Sequence, residues 1–381
     1  MIYDWNIDCS EPIIEIGLDS DVICRRNKKS MSAVCSCGEG SAPPPLFAKN
    51  YVGGGVREAR DVLALYSLLF GGQTDQHQLS IPEKKAAVNK ELYAQVLLLL
   101  ERSHRLSQRN NNEEEGDGFA LVTAHSGIEG AGTGVFLHKA NHNSRGENKT
   151  LRRGQLCCFY SGVVYSPVDM IAVYPHIYID NHYLITRHDE VLIDGRATGI
   201  SKTVFQNLWS RERRPTQQMK KKETREQADE EGEALDFATL FGNPWAVAQL
   251  VNHPPAGKRP NVMCYAMDWY LQEQEEQVDE AEVMPIIPLH LQPHLPCLPF
   301  RQVRDERNGK RVLKGMVLVA TRDLEEGEEL FLDYHLNPKS ESLPQWYHPV
   351  TPTTTHEEGQ EEEEGPQAHT ATTTTKGSLS Q

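Results

Sequence analysis

The C-terminal part of the sequence carries an apolar run at 315–321, an acidic turn at 325–327 and a second short apolar stretch at 330–334. The first run is rich in Val, Leu and Met, which is typical of a buried strand. The turn contains glycine, which adopts the positive φ that other residues avoid. The second stretch alternates apolar and polar residues and ends at Tyr334. The pattern predicts a β-hairpin that delivers a tyrosine at its end.

This hairpin closes a region of short strands separated by polar insertions. We predict three insertions, near 138–153, 202–241 and 266–311. Short strands with long irregular connections favour an all-β or α+β domain over a doubly wound parallel sheet. The other predicted strands lie at 135–137, 156–165, 190–193 and 262–266. A helix is predicted to begin at Asn243-Pro244 and to end near Asn252, because asparagine caps helices and proline suits their first turn.

Two helices are predicted before the β-rich region, within residues 51–115. Apolar residues recur at three- and four-residue steps over 56–70, and Gly71-Gly72 ends the pattern. A second helix follows Ser80 and runs to about Leu106. The pair either packs on its neighbour or serves a dimer or partner contact. The domain proper is then expected at 116–337, with disorder at 1–50 and in the acidic tail, 338–381.

The net charge of -15 comes from acidic runs in predicted loops and in the tail, and the rest of the chain is mildly basic. A basic peptide substrate would therefore need a local acidic groove. The basic cluster at 211–222 fits either a nuclear-import or nucleic-acid patch or, as we favour, a solvated loop balanced by the adjacent acids. Direct nucleic-acid binding is not expected.

Neither an export signal nor a membrane-length apolar segment is visible, so we expect an intracellular protein of the nucleus or cytoplasm. The eight cysteines are irregularly spaced and are expected to be reduced thiols. Cys35 and Cys37 have no partner pair at zinc-finger spacing. No metal site is predicted.

Three motifs bear on chemistry. Gly132-Thr133-Gly134 is commonly only a tight turn, and it lacks the later glycine of a dinucleotide fingerprint, but it would let the backbone approach a ligand closely. Tyr160, taken alone, would be a core or edge-strand tyrosine. Asn252-His253, followed by Pro260-Asn261, would in isolation be a surface turn.

In their order along the chain, 132–136, 250–253 with Asn261, and 322–334 resemble the SET-domain protein-lysine methyltransferase family. The resemblance implies an α+β, mainly β fold of short curved sheets (a β-clip) with a C-terminal pseudoknot, preceded by a helical region. It also implies S-adenosylmethionine as cofactor and a lysine-bearing protein as substrate. The cofactor residues implied are Gly132, Thr133, Gly134, Asn252, His253 and Tyr334. The implied catalytic residues are Tyr334 and Tyr160.

In this family a lysine amine attacks the sulfonium methyl group directly, so the site aligns the reactants and excludes water. The lysine must be neutral, and a desolvated channel next to a positive sulfonium lowers its pKa, so a dedicated base is not required.

Two departures leave a second function open. Pro254-Pro255 replaces the family's Ser-Cys pair, and no cysteine follows Cys297 to form a zinc-binding wall. In the family such a zinc-binding segment closes the channel for the substrate lysine. Here another segment, such as His335 to Trp346, would have to form the channel wall. The sequence therefore supports an S-adenosylmethionine-dependent protein-lysine N-methyltransferase or, alternatively, a catalytically inactive SET-fold binding or scaffold protein.

Overall fold

The computed structural model describes residues 54–71, 79–108, 119–139, 151–179, 181–212, 234–273, 286–336, 343–344 and 346–350. Within these ranges the fold is α+β, with several small sheets and few helices, as predicted. None of the helices in these ranges is both long and apolar enough to cross a bilayer. The segment 1–50, the Cys35/Cys37 pair and the tail after residue 350 lie outside the described residues.

The helices and strands are numbered in chain order. The helices are α1 (Gly54–Phe70), α2 (Ile81–Gln108), α3 (Pro167–Ile177), α4 (Gly199–Glu212) and α5 (Phe237–Phe241). The strands are β1 (Phe119–His125), β2 (Thr133–Lys139), β3 (Leu156–Phe159), β4 (Gly162–Tyr165), β5 (Leu184–Thr186), β6 (Leu192–Asp194), β7 (Val262–Leu271), β8 (Ile286–Ile287), β9 (Cys297–Pro299), β10 (Val303–Arg304) and β11 (Arg311–Ala320).

Helices α1 and α2 pack onto the β-rich part of the chain. The Glu83 carboxylate accepts hydrogen bonds from the Ser80 N–H at 2.8 Å and from the Ser80 hydroxyl at 2.7 Å. It therefore provides an acceptor for a backbone donor at the start of α2. Leu65 and Leu92 are fully buried in the same apolar cluster as Val317 of β11. These two helices are therefore part of the main hydrophobic core.

The central sheet is built around the long antiparallel pair β7 and β11. Its strand order is β10-β11-β7-β8. Strand β3 also pairs with β11, on the edge opposite β7. Gly315 is required within β11, because a Cβ atom there would lie 2.2 Å from the ring of Trp269. A second sheet has the order β5-β6-β4-β9, and β1 and β2 form a two-stranded sheet.

A buried arginine joins the two larger sheets. Arg187 donates to the backbone carbonyls of Met267, at 2.8 Å, and Gly315, at 2.6 Å. Its guanidinium also pairs with Asp189 and Asp268. A buried charge that keeps its partners and hydrogen bonds is tolerated, but without Arg187 the two carbonyls would lose a buried donor and Lys314 would be the cation left beside Asp189 and Asp268.

The predicted helix from Asn243 to Asn252 is wrong. Helix α5 lies just before it and ends at Gly242, whose φ of 55° stops the helix. The Asn243 side chain accepts from the Trp245 N–H at 3.0 Å and donates to the His294 carbonyl at 2.8 Å, so it caps a turn. The carbonyl of Trp245 pairs with Phe159, so it cannot bond within a helix. Only a short 3-10 turn, Ala248–Leu250, leads to Asn252.

The predicted hairpin between 315–321 and 330–334 is also wrong, although Gly327 has the predicted positive φ, +83°. Strand β11 already has β7 on one edge and β3 on the other, so no edge remains for residues 330–334. This last stretch forms bridges elsewhere. Phe331 forms a parallel bridge with Asn252, and Leu332 forms one with Val262. Glu329 forms an antiparallel bridge with Phe136.

Candidate functional site

The centre of the site is the buried carboxylate of Glu329, which lies two residues before Phe331 in the chain. One oxygen accepts from the Ser126 hydroxyl and from the Asn252 amide, at 3.3 Å, and the other accepts from the Gly127 N–H, at 3.1 Å. Ser126 and Gly127 directly follow β1. The carboxylate therefore ties together three segments that are distant in sequence.

The glycine bend before β2 lies against this carboxylate. A Cβ atom on Gly134 would come 2.2 Å from Glu329 Oε1 and 3.4 Å from Asn252 Nδ2. The Asn252 amide also donates to the Thr133 carbonyl, at 3.1 Å. At Gly132, φ is +73° and the space next to the missing Cβ is open. Gly132, Thr133, Gly134 and Asn252, each predicted to contact the cofactor, thus lie together.

Asn261 holds the last stretch of chain in place. Its amide donates to the Glu329 carbonyl at 2.8 Å and accepts from the Phe331 N–H at 2.7 Å. An asparagine side chain can bond a backbone carbonyl with its NH₂ group and a backbone N–H with its oxygen. Asn261 therefore determines where Glu329 and the residues after it lie.

Tyr334 bonds to the residues on either side of Asn252 in the chain. Its hydroxyl donates to the Val251 carbonyl at 2.9 Å, and its N–H donates to His253 Nδ1 at 3.3 Å. Burial raises the pKa of the Tyr334 phenol well above its usual value near 10. The phenol is therefore protonated throughout the physiological pH range.

The second predicted tyrosine, Tyr160, lies on the connection from β3 to β4. Its hydroxyl donates to the Tyr183 carbonyl at 2.8 Å, and that carbonyl also accepts from the Gly195 N–H. Burial, and next the nearby Tyr334, raise the pKa of Tyr160 well above its usual value. Both phenols are thus neutral hydrogen-bonding groups with their hydrogen given to a backbone carbonyl.

His253 is buried, and its ring is held between chain segments. Because Nδ1 accepts from Tyr334, Nε2 carries the hydrogen, and it donates to the His348 carbonyl at 2.8 Å. The ring stacks on Tyr347 with centroids 4.4 Å apart, and burial lowers the His253 pKa below 6.5. Trp346, 48% exposed, stands edge-on to Tyr334 at 6.1 Å. The His253 side chain is neutral and enclosed.

Sequence reasoning missed Glu329. It stands beside Glu325, Glu326 and Glu328, and no feature of the sequence alone separates it from them. Its three donors come from residues 126, 127 and 252, which only the tertiary structure brings near. Sequence reasoning also missed Tyr183, whose carbonyl accepts from the Tyr160 hydroxyl, because only the tertiary structure brings the two residues together.

The chain was also compared with known proteins. No protein-family model matches it. SET domain-containing protein 9 of Homo sapiens is 28% identical over 261 residues, which cover 67% of this chain and 73% of that protein. SET domain-containing protein 9 of Pongo abelii is likewise 28% identical over 261 residues, 67% of this chain and 80% of the relative. The chain is therefore similar to SET-domain proteins over about two thirds of its length.

Proposed function

We propose that the protein is an S-adenosylmethionine-dependent protein-lysine N-methyltransferase. One observation carries the proposal: Tyr334 bonds to Val251, next to Asn252, whose amide in turn holds Thr133 of the glycine bend. Similarity to SET-domain proteins makes a methyltransferase the expected activity, and the three predicted motifs meet within one small region. The passage of residues 329–332 between β2 and the 252–262 loop is, in this proposal, the family's C-terminal pseudoknot.

The residues of this region fit the proposed cofactor. Open space beside Gly132 would admit a ligand close to the backbone. The Glu329 carboxylate and the side-chain oxygen of Asn252 are suited to accept hydrogen bonds from an ammonium group of the ligand. When bound, S-adenosylmethionine would supply a methyl group on a positively charged sulfur.

The two tyrosines would orient the substrate amine. Each hydroxyl already donates its one hydrogen to a backbone carbonyl, so toward an amine it can only accept. Because burial raises the pKa of both phenols, neither acts as a phenolate base. Alignment of a neutral lysine and exclusion of water then account for the rate.

Trp346 and Tyr347 are proposed to form part of the channel wall that other family members build with a zinc-binding segment. Trp346 lies at the edge of Tyr334, and Tyr347 stacks on His253. The half-exposed indole of Trp346 would cover the apolar part of a substrate side chain.

Label transfer from tritiated S-adenosylmethionine to protein and peptide arrays tests the proposal. We expect transfer by the full chain and a loss of about 100-fold in Tyr334→Phe, because the phenol positions a reacting group. Tyr265→Phe is the matched control, since it also removes a buried phenol hydrogen bond, to Asn89, but lies outside the site. Absence of any Tyr334-dependent transfer would count against an enzyme.

Two features favour the alternative, a catalytically inactive binding or scaffold protein. The loop after His253 begins with two prolines, and the His253 ring is covered by Tyr347 and the His348 carbonyl. Calorimetry separates the two functions: an enzyme binds S-adenosylmethionine with measurable heat, whereas a scaffold with a closed site gives none.

A further inference from the structure

Three histidines and a glutamate gather where α2 meets the 3-10 turn Gln292–His294, a region that the proposed function does not use. Glu101 and His104 lie three residues apart on α2 and therefore on one face of it. His290 and His294 come from the segment packed against that face. The rings of His104 and His294 are 5.4 Å apart between centroids, and those of His104 and His290 are 5.2 Å apart.

The buried ring of His294 is oriented from both sides. Its Nδ1 is 3.2 Å from the Phe241 carbonyl and 3.1 Å from the Gly242 carbonyl, and since both are acceptors Nδ1 must carry the hydrogen. The His294 carbonyl accepts from the Asn243 amide at 2.8 Å, which holds the backbone. A histidine that donates one ring N–H to a backbone carbonyl is arranged as metal-binding histidines commonly are.

The other nitrogen of His294 faces His104. Nε2 of His294 and Nδ1 of His104 are 3.3 Å apart. An ion with tetrahedral bonds of about 2.0–2.1 Å places two ligand atoms about 3.3 Å apart, so this pair has the required spacing. Without an ion the contact is a hydrogen bond in which His104 donates to His294.

A second pair stands on the solvent side. His290 Nε2 is 3.2 Å from Glu101 Oε1, and both side chains are about half exposed. Over the described part of the chain, no group of three or more His, Cys, Asp or Glu side chains is arranged to hold a metal ion. The resting arrangement thus offers two nitrogens, and His290 or Glu101 would have to turn to add a third ligand.

We propose that His104 Nδ1 and His294 Nε2 bind a divalent ion of the zinc class, with His290 or Glu101 completing the site. Imidazole nitrogens suit zinc, nickel and copper, whereas magnesium and calcium take oxygen ligands. On binding, the hydrogen of His104 moves from Nδ1 to Nε2, so no net proton is released. The ion would fasten α2 to the 290–294 segment, whether or not the protein is a methyltransferase.

Calorimetric titration of the chelator-treated full chain with zinc chloride tests the site. We expect binding of one zinc ion, no heat with magnesium, and an affinity at least about tenfold weaker in His104→Gln. His125→Gln is the matched control, since His125 is an exposed histidine at the end of β1. Zinc binding that is absent, or equally strong in His104→Gln, would overturn the proposal and leave a hydrogen-bonded histidine pair.

Anomalous diffraction from zinc-soaked crystals of the unaltered chain keeps the test independent of any variant's folding. The expected peak lies between the His104 and His294 rings, about 2.0–2.1 Å from both nitrogens. Zinc peaks found only elsewhere on the chain would also overturn the proposal.

Discussion

Replacing Glu329 with glutamine would test the carboxylate at the centre of the site. The carboxylate accepts from the Ser126 hydroxyl, the Gly127 N–H and the Asn252 amide. An amide of the same shape has one accepting oxygen, so in either orientation its NH₂ group faces a donor, Gly127 or Asn252. Asn252 cannot simply turn, because its NH₂ group also donates to the Thr133 carbonyl.

The cost follows from these partners. One buried donor left without an acceptor costs about 1–3 kcal/mol, and the remaining bonds lose the strength that a charged acceptor provides, about 1 kcal/mol. The uncharged amide recovers part of this cost, since it is easier to bury. We expect Glu329→Gln to lower the free energy of unfolding by about 2–3 kcal/mol, and to weaken S-adenosylmethionine binding because the glycine bend loses its anchor.

Urea unfolding followed by circular dichroism measures the first effect, and calorimetry the second. Glu328→Gln is the matched control, because the neighbouring carboxylate forms an exposed pair with Arg322 at 2.7 Å. Such a pair contributes up to about 1 kcal/mol. If Glu329→Gln destabilised the protein no more than Glu328→Gln, the carboxylate would not hold the three segments together.

Three further variants test other contacts. Gly134→Ala should cost about 1–3 kcal/mol in urea unfolding, because the new methyl group displaces the fixed Glu329 carboxylate. Arg187→Met should cost about 3–5 kcal/mol in the same assay, since Asp268 and two backbone carbonyls lose their buried partner. His253→Asn should reduce the loss of melting temperature between about pH 7.5 and about pH 5.5. Burial lowers the pKa of His253 in the folded protein, so below about pH 6.5 the unfolded chain binds more protons than the folded one. The free energy of unfolding therefore has its full value above that pH and falls as the pH drops below it.

Each of these predictions has a contradicting result. Gly134→Ala and Glu329→Ala should together cost less than the sum of the single changes, so strict additivity would exclude the contact. Arg304→Met, which breaks an exposed pair with Glu273, should cost far less than Arg187→Met, and equal costs would contradict the burial argument. A His253→Asn variant that loses as much stability in acid as the unaltered chain would assign the pH dependence to other groups.

Local patterns predicted several elements correctly because local physics decides them. Helix α2 begins after Ser80, whose N–H and hydroxyl donate to the nearby Glu83, and Gly327 adopts a positive φ where the turn requires it. The helix at Asn243 failed because the carbonyl of Trp245 accepts from Phe159, a partner in a distant strand. The hairpin failed because β11 has both edges occupied, which a pattern of alternating residues does not reveal.

Residue types and spacing are enough to indicate the order of the motifs and their resemblance to SET-domain proteins, since a glycine bend, Asn252-His253 and Tyr334 are read directly from the sequence. How the motifs meet depends on contacts between distant parts of the chain. Glu329 acquires its role from Ser126, Gly127 and Asn252, and the phenols acquire theirs from the carbonyls of Val251 and Tyr183. A buried charge or hydroxyl is satisfied by whichever partners the fold brings within about 3 Å, and distance along the chain carries no information on that contact.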